Sequence, residues 1–264
     1  MGKTIGVFSL KGGVGKTTAV VSLGSAIASF GKKVLLVDGN LSAPNLGLHL
    51  KVISPEFSLH DVLGKKANPL QAVYKLDNFD VLPGAVFSNL EVNPMEMKDK
   101  LAHLKRSYDF ILIDSSPALN NETIGAMVAS EDMLFVTTPD YPTLSMTLKA
   151  VNLAKNRGAS VPGIILNKVY NKNFEVPLEH VEKTLGIPVL AVIPHDTNIL
   201  RALSKSIPST EFKPKSEASE EYKKLAAVLI GEKYKQAKLK SFFSWIAPKK
   251  QEINRTIFYE SVFK

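Results

Sequence analysis

Short apolar runs rich in β-branched residues alternate along the chain with longer stretches of helical period. Residues 4–9, 34–37, 79–82, 110–113, 133–137, 161–166 and 188–193 are predicted as strands. Most of these runs lack strict polar alternation, which is the pattern of strands buried on both faces. Between them, 17–30, 94–105, 121–129, 144–156, 176–185 and 198–203 carry a helical period, and several begin just after Thr, Ser or Asn. Strand and helix in alternation predict an α/β fold: a mostly parallel central sheet with helices on both faces, and ligands beyond the carboxyl ends of the strands.

The pattern changes late in the chain. Residues 209–221 are rich in Ser, Lys, Glu and Pro, a helical pattern then runs from 222 to about 246, and Pro248 stops it. A main domain over 1–231 and a tail over 232–264 follow from that shift. Within the tail, Leu239, Phe242, Phe243 and Ile246 recur at i, i+3, i+4 and i+7, with Trp245 near the edge of the stripe and lysines around it. Such a basic amphipathic helix suits an anionic membrane interface, the alternative being that it packs back on the domain. Phe258, Tyr259, Val262 and Phe263 form a second aromatic cluster, read as a further anchor or a docking peptide.

Composition sharpens this picture. The chain has 264 residues, 45% of them hydrophobic, and no Cys, which excludes disulfides, thiolate metal sites, iron-sulfur clusters and cysteine nucleophiles. No apolar run approaches a bilayer span, and the first residues lack a secretory pattern, so a cytoplasmic location is expected. The net charge is +8, of which residues 232–264 hold +5, so the anionic target shifts from nucleic acid toward lipid. The five His show no metal spacing.

The strongest chemistry lies directly after the first strand, where the chain reads KGGVGKTT. Gly12, Gly13, Val14 and Gly15 would turn sharply and present successive N–H groups to a phosphate, and the following helix aims its positive end at the same anion. Lys16 would reach the β and γ phosphates, Thr17 would ligate Mg²⁺, and Thr18 would bond the α phosphate. Asp114, ending one strand, would hold the metal through water, and Asp38, ending another, supplies a second carboxylate near it.

That loop resembles the deviant Walker A motif of the MinD/ParA class of P-loop ATPases. VLLVDGNLSAPNLGLHL (34–50) and YDFILIDSSPAL (108–119) are similar to its switch I and switch II segments, and Asn167 with Lys168 and VIPHD (192–196) agree. The resemblance covers about residues 3–205, is closest to archaeal or bacterial MinD-like proteins, and implies the P-loop NTPase fold with ATP and Mg²⁺ as cofactors. It also implies an ATP-dependent homodimer in which Lys11 contacts the nucleotide of the other subunit. Asn167 would bond adenine, although Asn is also an ordinary turn residue, with Pro194 and Asp196 flanking the base. By the same resemblance the tail helix is a membrane-targeting sequence. It would place the chain on the inner face of the cell membrane, where it positions a protein partner.

Two departures from the family pattern stand out. Switch I usually reads Asp-x-Asp, and here the second position is Asn40. An amide orients water but takes no proton from it, so slow hydrolysis is expected. Early in the helix after residue 140, Met146 and Leu148 stand where the MinD branch tends to carry acidic residues, so they are read as core or dimer contacts. A ParA-like segregation ATPase and a non-hydrolysing scaffold are the alternative functions.

Overall fold

A computed structural model describes residues 2–88, 90–232, 234 and 249–263. Among them an eight-stranded sheet runs in the order β3-β4-β2-β5-β1-β6-β7-β8. Its members are β1 (Lys3–Phe8), β2 (Val34–Asp38), β3 (Tyr74–Lys75), β4 (Asp80–Leu82), β5 (Phe110–Asp114), β6 (Asp132–Thr137), β7 (Ser160–Val169) and β8 (Val189–Pro194). All neighbours pair in parallel except β3, which runs antiparallel to β4.

Burial on both faces explains the unalternating strands. Leu35 and Val37 of β2 and Ile111 and Ile113 of β5 enter one apolar layer, while Val34, Leu36, Phe110 and Leu112 enter the other. The first layer is closed by α3 (Leu59–Leu63), α4 (Met97–Ala102), α5 (Asn121–Ala129), α6 (Tyr141–Asn156) and α7 (Leu178–Leu185). The second is closed by α1 (Lys16–Ala28), α2 (Leu46–His49) and α10 (Glu217–Leu229).

The expected elements differ from the structure mainly at their ends, while β3, α2 and α3 were not expected. The helix expected over 94–105 is interrupted: α4 is flanked by 3₁₀ turns at Pro94–Glu96 and Leu104–Arg106. The helix expected over 144–156 starts earlier, because Asp140 caps α6 by accepting the Thr143 N–H at 3.0 Å. Beyond residue 209 the correction is larger. The polar stretch is folded, with α9 (Ser209–Phe212) following α8 (Thr197–Ser204). Ser209 and Glu211 meet Ser22 and Ser25 of α1 at 2.8 Å each, partners that composition cannot reveal. The helix expected from 222 begins at Glu217 behind a Ser216 cap, and ends at Leu229 as Gly231 turns to φ 75°.

The amphipathic stripe of Leu239, Phe242, Phe243, Trp245 and Ile246 lies outside the described residues. After it, α11 (Lys250–Phe263) packs on the domain beside the edge strand β8. Arg255 is buried, donating to Glu221 and to the Leu190 carbonyl at 2.9 Å each, and Asn254 donates to the Val189 carbonyl at 2.8 Å. Phe258 joins the second apolar layer, whereas Val262 and Phe263 remain about half exposed. Among the described residues no helix is long and apolar enough to cross a membrane.

Candidate nucleotide site

The loop between β1 and α1 takes its shape from glycine at two positions. Gly13 and Gly15 have φ 78° and 90°. At Gly12 and Gly13 a Cβ would meet nothing within 4 Å, so the loop's outer curve is open. A Cβ at Gly15 would come within 2.4 Å of the Asn167 amide nitrogen. That amide donates to the Val14 carbonyl at 2.7 Å, and the Lys168 ammonium donates to the Gly13 carbonyl at 2.7 Å. With those carbonyls bound, the loop N–H groups are left for an anion. Asn167, expected at adenine, therefore braces the phosphate loop here, and Lys168 is a second brace beside it.

Acidic strand ends lie beneath the loop. Asp38 and Asp114 are register neighbours on β2 and β5, and both are fully buried. Lys16 pairs with one Asp114 oxygen, and the Thr17 hydroxyl donates to the other at 2.6 Å. Thr17 also reaches Asn45 at 3.0 Å. Asp38 accepts the N–H groups of Leu46 at 2.9 Å and Asn40 at 3.3 Å. Burial, followed by the Asp114 charge, pushes the Asp38 carboxyl up to about 7, although those N–H groups and Lys16 oppose the rise. A hydroxyl and two carboxylates beneath an open phosphate cradle fit Mg²⁺, which takes few protein ligands and completes its shell with water and phosphate oxygens.

A cavity of about 580 Å³ opens above this loop, within the range of small-molecule sites. It brings together every residue of the loop from Lys11 to Thr18 with Asn40, Asn167, Pro194 and Asp196. Asp114 acts from below through Lys16 and Thr17, and Asp38 lies beside it, bonded to switch backbone at Asn40 and Leu46. Asp196 caps α8 by accepting the Asn198 N–H at 2.8 Å, and its neighbour His195 stacks on Tyr170 at 4.4 Å between ring centroids.

A family model described as an AAA domain matches residues 2–157. An uncharacterized ATP-binding protein of Methanocaldococcus jannaschii is 31% identical over 245 residues, covering 91% of this chain and 92% of that protein. The septum site-determining protein MinD of Thermotoga maritima is 32% identical over 246 residues, covering 88% of this chain and 89% of that protein. The structure of MinD from Pyrococcus horikoshii, complexed with Mg-ADP, aligns at a TM-score of 0.82 with 36% identity, covering 87% of this chain and 96% of that one. The chain belongs to the MinD/ParA family of P-loop ATPases.

The family's switch I segment is held here by Asn40 and by side chains that the sequence did not single out. Asn40 donates its amide to the Ala43 carbonyl at 2.5 Å, which closes the segment on itself. Ser42 bonds Glu122 at the start of α5. His60 of α3 is neutral, because its Nδ1 accepts the Ala85 N–H at 3.1 Å while Nε2 donates to the Leu41 carbonyl at 3.0 Å. Burial holds this imidazole below its ordinary value. A lone His without metal spacing gave no signal for this role.

Lys11, the signature lysine of the MinD/ParA loop, is held by its own chain. Its ammonium donates to Thr143 at 2.7 Å and pairs with Asp140 at 3.3 Å, at the start of α6. Burial raises the Asp140 carboxyl, but hydrogen bonds from Thr138, Thr143 and Lys11 outweigh it and hold the group below its ordinary value. On the same helix Leu148 packs against the first apolar layer and Met146 is exposed.

Proposed function

We propose that this chain is an ATP-dependent dimerising switch that attaches to an anionic membrane surface and positions a protein partner there. The position of Lys11 carries the reading. A second cation beside the phosphate loop is tied to Asp140 and Thr143, outside the Lys16 and Asp114 pairing, and is free to be exchanged for the nucleotide of a second copy. Bound Mg²⁺ supplies charge neutralisation across the β and γ phosphates. The chain's own part is to cradle the phosphates on the 12–17 N–H groups, move Lys16 from Asp114 onto them, and offer the Thr17 hydroxyl. Linkage follows: whatever binds only the paired form stabilises it by mass action.

Membrane attachment rests on the apolar stripe of Leu239, Phe242, Phe243, Trp245 and Ile246 and its lysines. Each lysine near an anionic surface contributes about 1 kcal/mol, so one copy binds weakly and two bind well. Hydrolysis is slow in this reading, because Asn40 is a neutral amide committed to Ala43. That same observation favours a second reading, a scaffold held dimeric by nucleotide without turnover.

Sedimentation of the full chain with Mg-ATP or Mg-ADP, followed by flotation with anionic liposomes, tests the proposal. Dimerisation and flotation with ATP alone are expected, with flotation lost in a Phe242→Ser and Phe243→Ser variant. Salt-sensitive binding to non-specific DNA without flotation would instead support the segregation reading. A second prediction concerns Lys11. Asp140→Asn keeps the α6 cap but weakens the hold on Lys11, a half-exposed pair contributing no more than about 1 kcal/mol. With one such pair released in each copy, ATP-driven dimerisation is expected at up to ~30-fold lower protein concentration, read by sedimentation velocity, with thermal stability nearly unchanged.

A further inference from the structure

A second cavity, of about 430 Å³, shares only Pro194 with the nucleotide cavity. It is bounded by the carboxyl ends of β7 and β8, by the 169–178 segment and by the first residues of α11, and its size is that of a ligand site. Two of its borders are fixed in place. The Val176 N–H donates to the Pro139 carbonyl at 2.9 Å, and the His195 N–H donates to the Val169 carbonyl at 2.8 Å.

The lining narrows what such a cavity takes. Val169, Val176, Leu178 and Val192 give it an aliphatic surface, and among its described residues there is no aromatic ring to stack on a flat base. No group of His, Cys, Asp or Glu among the described residues is placed to hold a metal. Its charges are balanced. Lys249 pairs with Glu217 at 3.3 Å, and Glu175 accepts the N–H groups of Tyr170 at 2.8 Å and Lys172 at 3.1 Å. Two lysines against two glutamates leave no strong field to draw an anion such as phosphate.

The deciding group is Gln251, on the first turn of α11. It is only 5% exposed, yet its side-chain amide has no hydrogen-bond partner among the described residues. Unlike the Nη2 group of Arg255, which is sealed in, this amide keeps some contact with solvent. A buried polar side chain left unpaired calls for an explanation, and at a cavity wall a ligand supplies one. A carboxamide sets donors beside an acceptor, the complement of the C=O and N–H of a peptide group.

We infer that this cavity binds a short peptide segment of a protein partner, seating one aliphatic side chain on the valine and leucine lining and pairing one peptide group with Gln251. The inference names the kind of contact that the partner of the switch makes. It is tested without nucleotide, so its failure would leave ATP-driven dimerisation standing.

Selection of displayed random seven-residue peptides on the nucleotide-free full chain supplies the probe. Enriched peptides are expected to share a Leu, Ile, Val or Met position and, carrying a benzophenone, to photo-crosslink within 169–178 or 249–255. Gln251→Leu keeps much of the side-chain bulk and removes the amide. By calorimetry the peptide affinity should fall about 10-fold or more, while the melting temperature and the affinity for inorganic tripolyphosphate stay unchanged. Failure to enrich any peptide, crosslinks elsewhere on the chain, or equal affinity in the two proteins would each overturn the proposal. Should the variant melt below wild type, the crosslinked position on wild type decides alone.

Discussion

Asn40→Asp is expected to raise single-turnover ATP hydrolysis by ~10²-fold or more, the lower end of what a positioned carboxylate contributes as a general base. An amide can orient a water but cannot accept its proton. Its structural task in this chain is different, since Nδ2 donates to the Ala43 carbonyl at 2.5 Å. A carboxylate there has no proton to give and would face a carbonyl oxygen across that distance. The variant should therefore lose about 1 to 3 kcal/mol of nucleotide-free stability while its switch I segment is released toward the phosphates. Asn40→Ala separates the two roles, because it also frees the segment but adds no base. Quenched single-turnover assays on all three proteins, with urea unfolding alongside, give the comparison. Faster hydrolysis in both variants would assign the expected slow rate to the closed segment, and faster hydrolysis in Asn40→Asp alone would assign it to the missing carboxylate.

The second large effect is expected at Lys16. Lys16→Met should abolish nucleotide binding in titrations at millimolar Mg-ATP, and it should also destabilise the empty protein. Asp38 and Asp114 are buried neighbours, and Lys16 is the cation that pairs with Asp114. Removing one partner of a buried ion pair costs ~3 to 5 kcal/mol, because the other charge stays behind. The pH dependence has a definite sign. Asp38 is raised in the folded state from 3.8 to about 7, so between those values the folded chain holds a proton that the unfolded chain has released. Stability of the nucleotide-free protein therefore falls as pH rises through that window, by on the order of 4 kcal/mol in total from this group. Without Lys16 the upper limit of the window moves to higher pH, so the deficit of the variant should widen from pH 5 to pH 8. Urea unfolding at several pH values measures both slopes, and parallel curves would refute the coupling.

Those two sites also show what could be read from the chain alone. The alternation of apolar runs and helical periods located the parallel sheet, because strands such as β2 and β5 are buried on both faces and carry no polar position before their terminal Asp. The phosphate loop was legible because backbone approach to a phosphate demands glycine at fixed spacing, and Gly13 and Gly15 do adopt positive φ. Partners distant in sequence were not legible. Nothing local to His60 or Glu122 indicates that they hold switch I, and nothing local to Ser209 or Glu211 indicates that they fold onto α1. Asn167 shows the same limit. The residue type and position were right for the site, but whether its amide meets a base or the Val14 carbonyl depends on a loop 153 positions away.

The docking of α11 has a consequence for how copies of the chain can meet. A sheet edge is a row of unpaired backbone groups that invites another strand. At β8 the carbonyls of Val189 and Leu190 are already taken by Asn254 and Arg255, and at the other edge β3 is only two residues long. Among the described residues, these contacts and the shortness of β3 limit the backbone that either border presents for strand addition. Open-ended growth from sheet to sheet is thereby discouraged, and self-association is left to side-chain surfaces, where a closed pair can be made and undone.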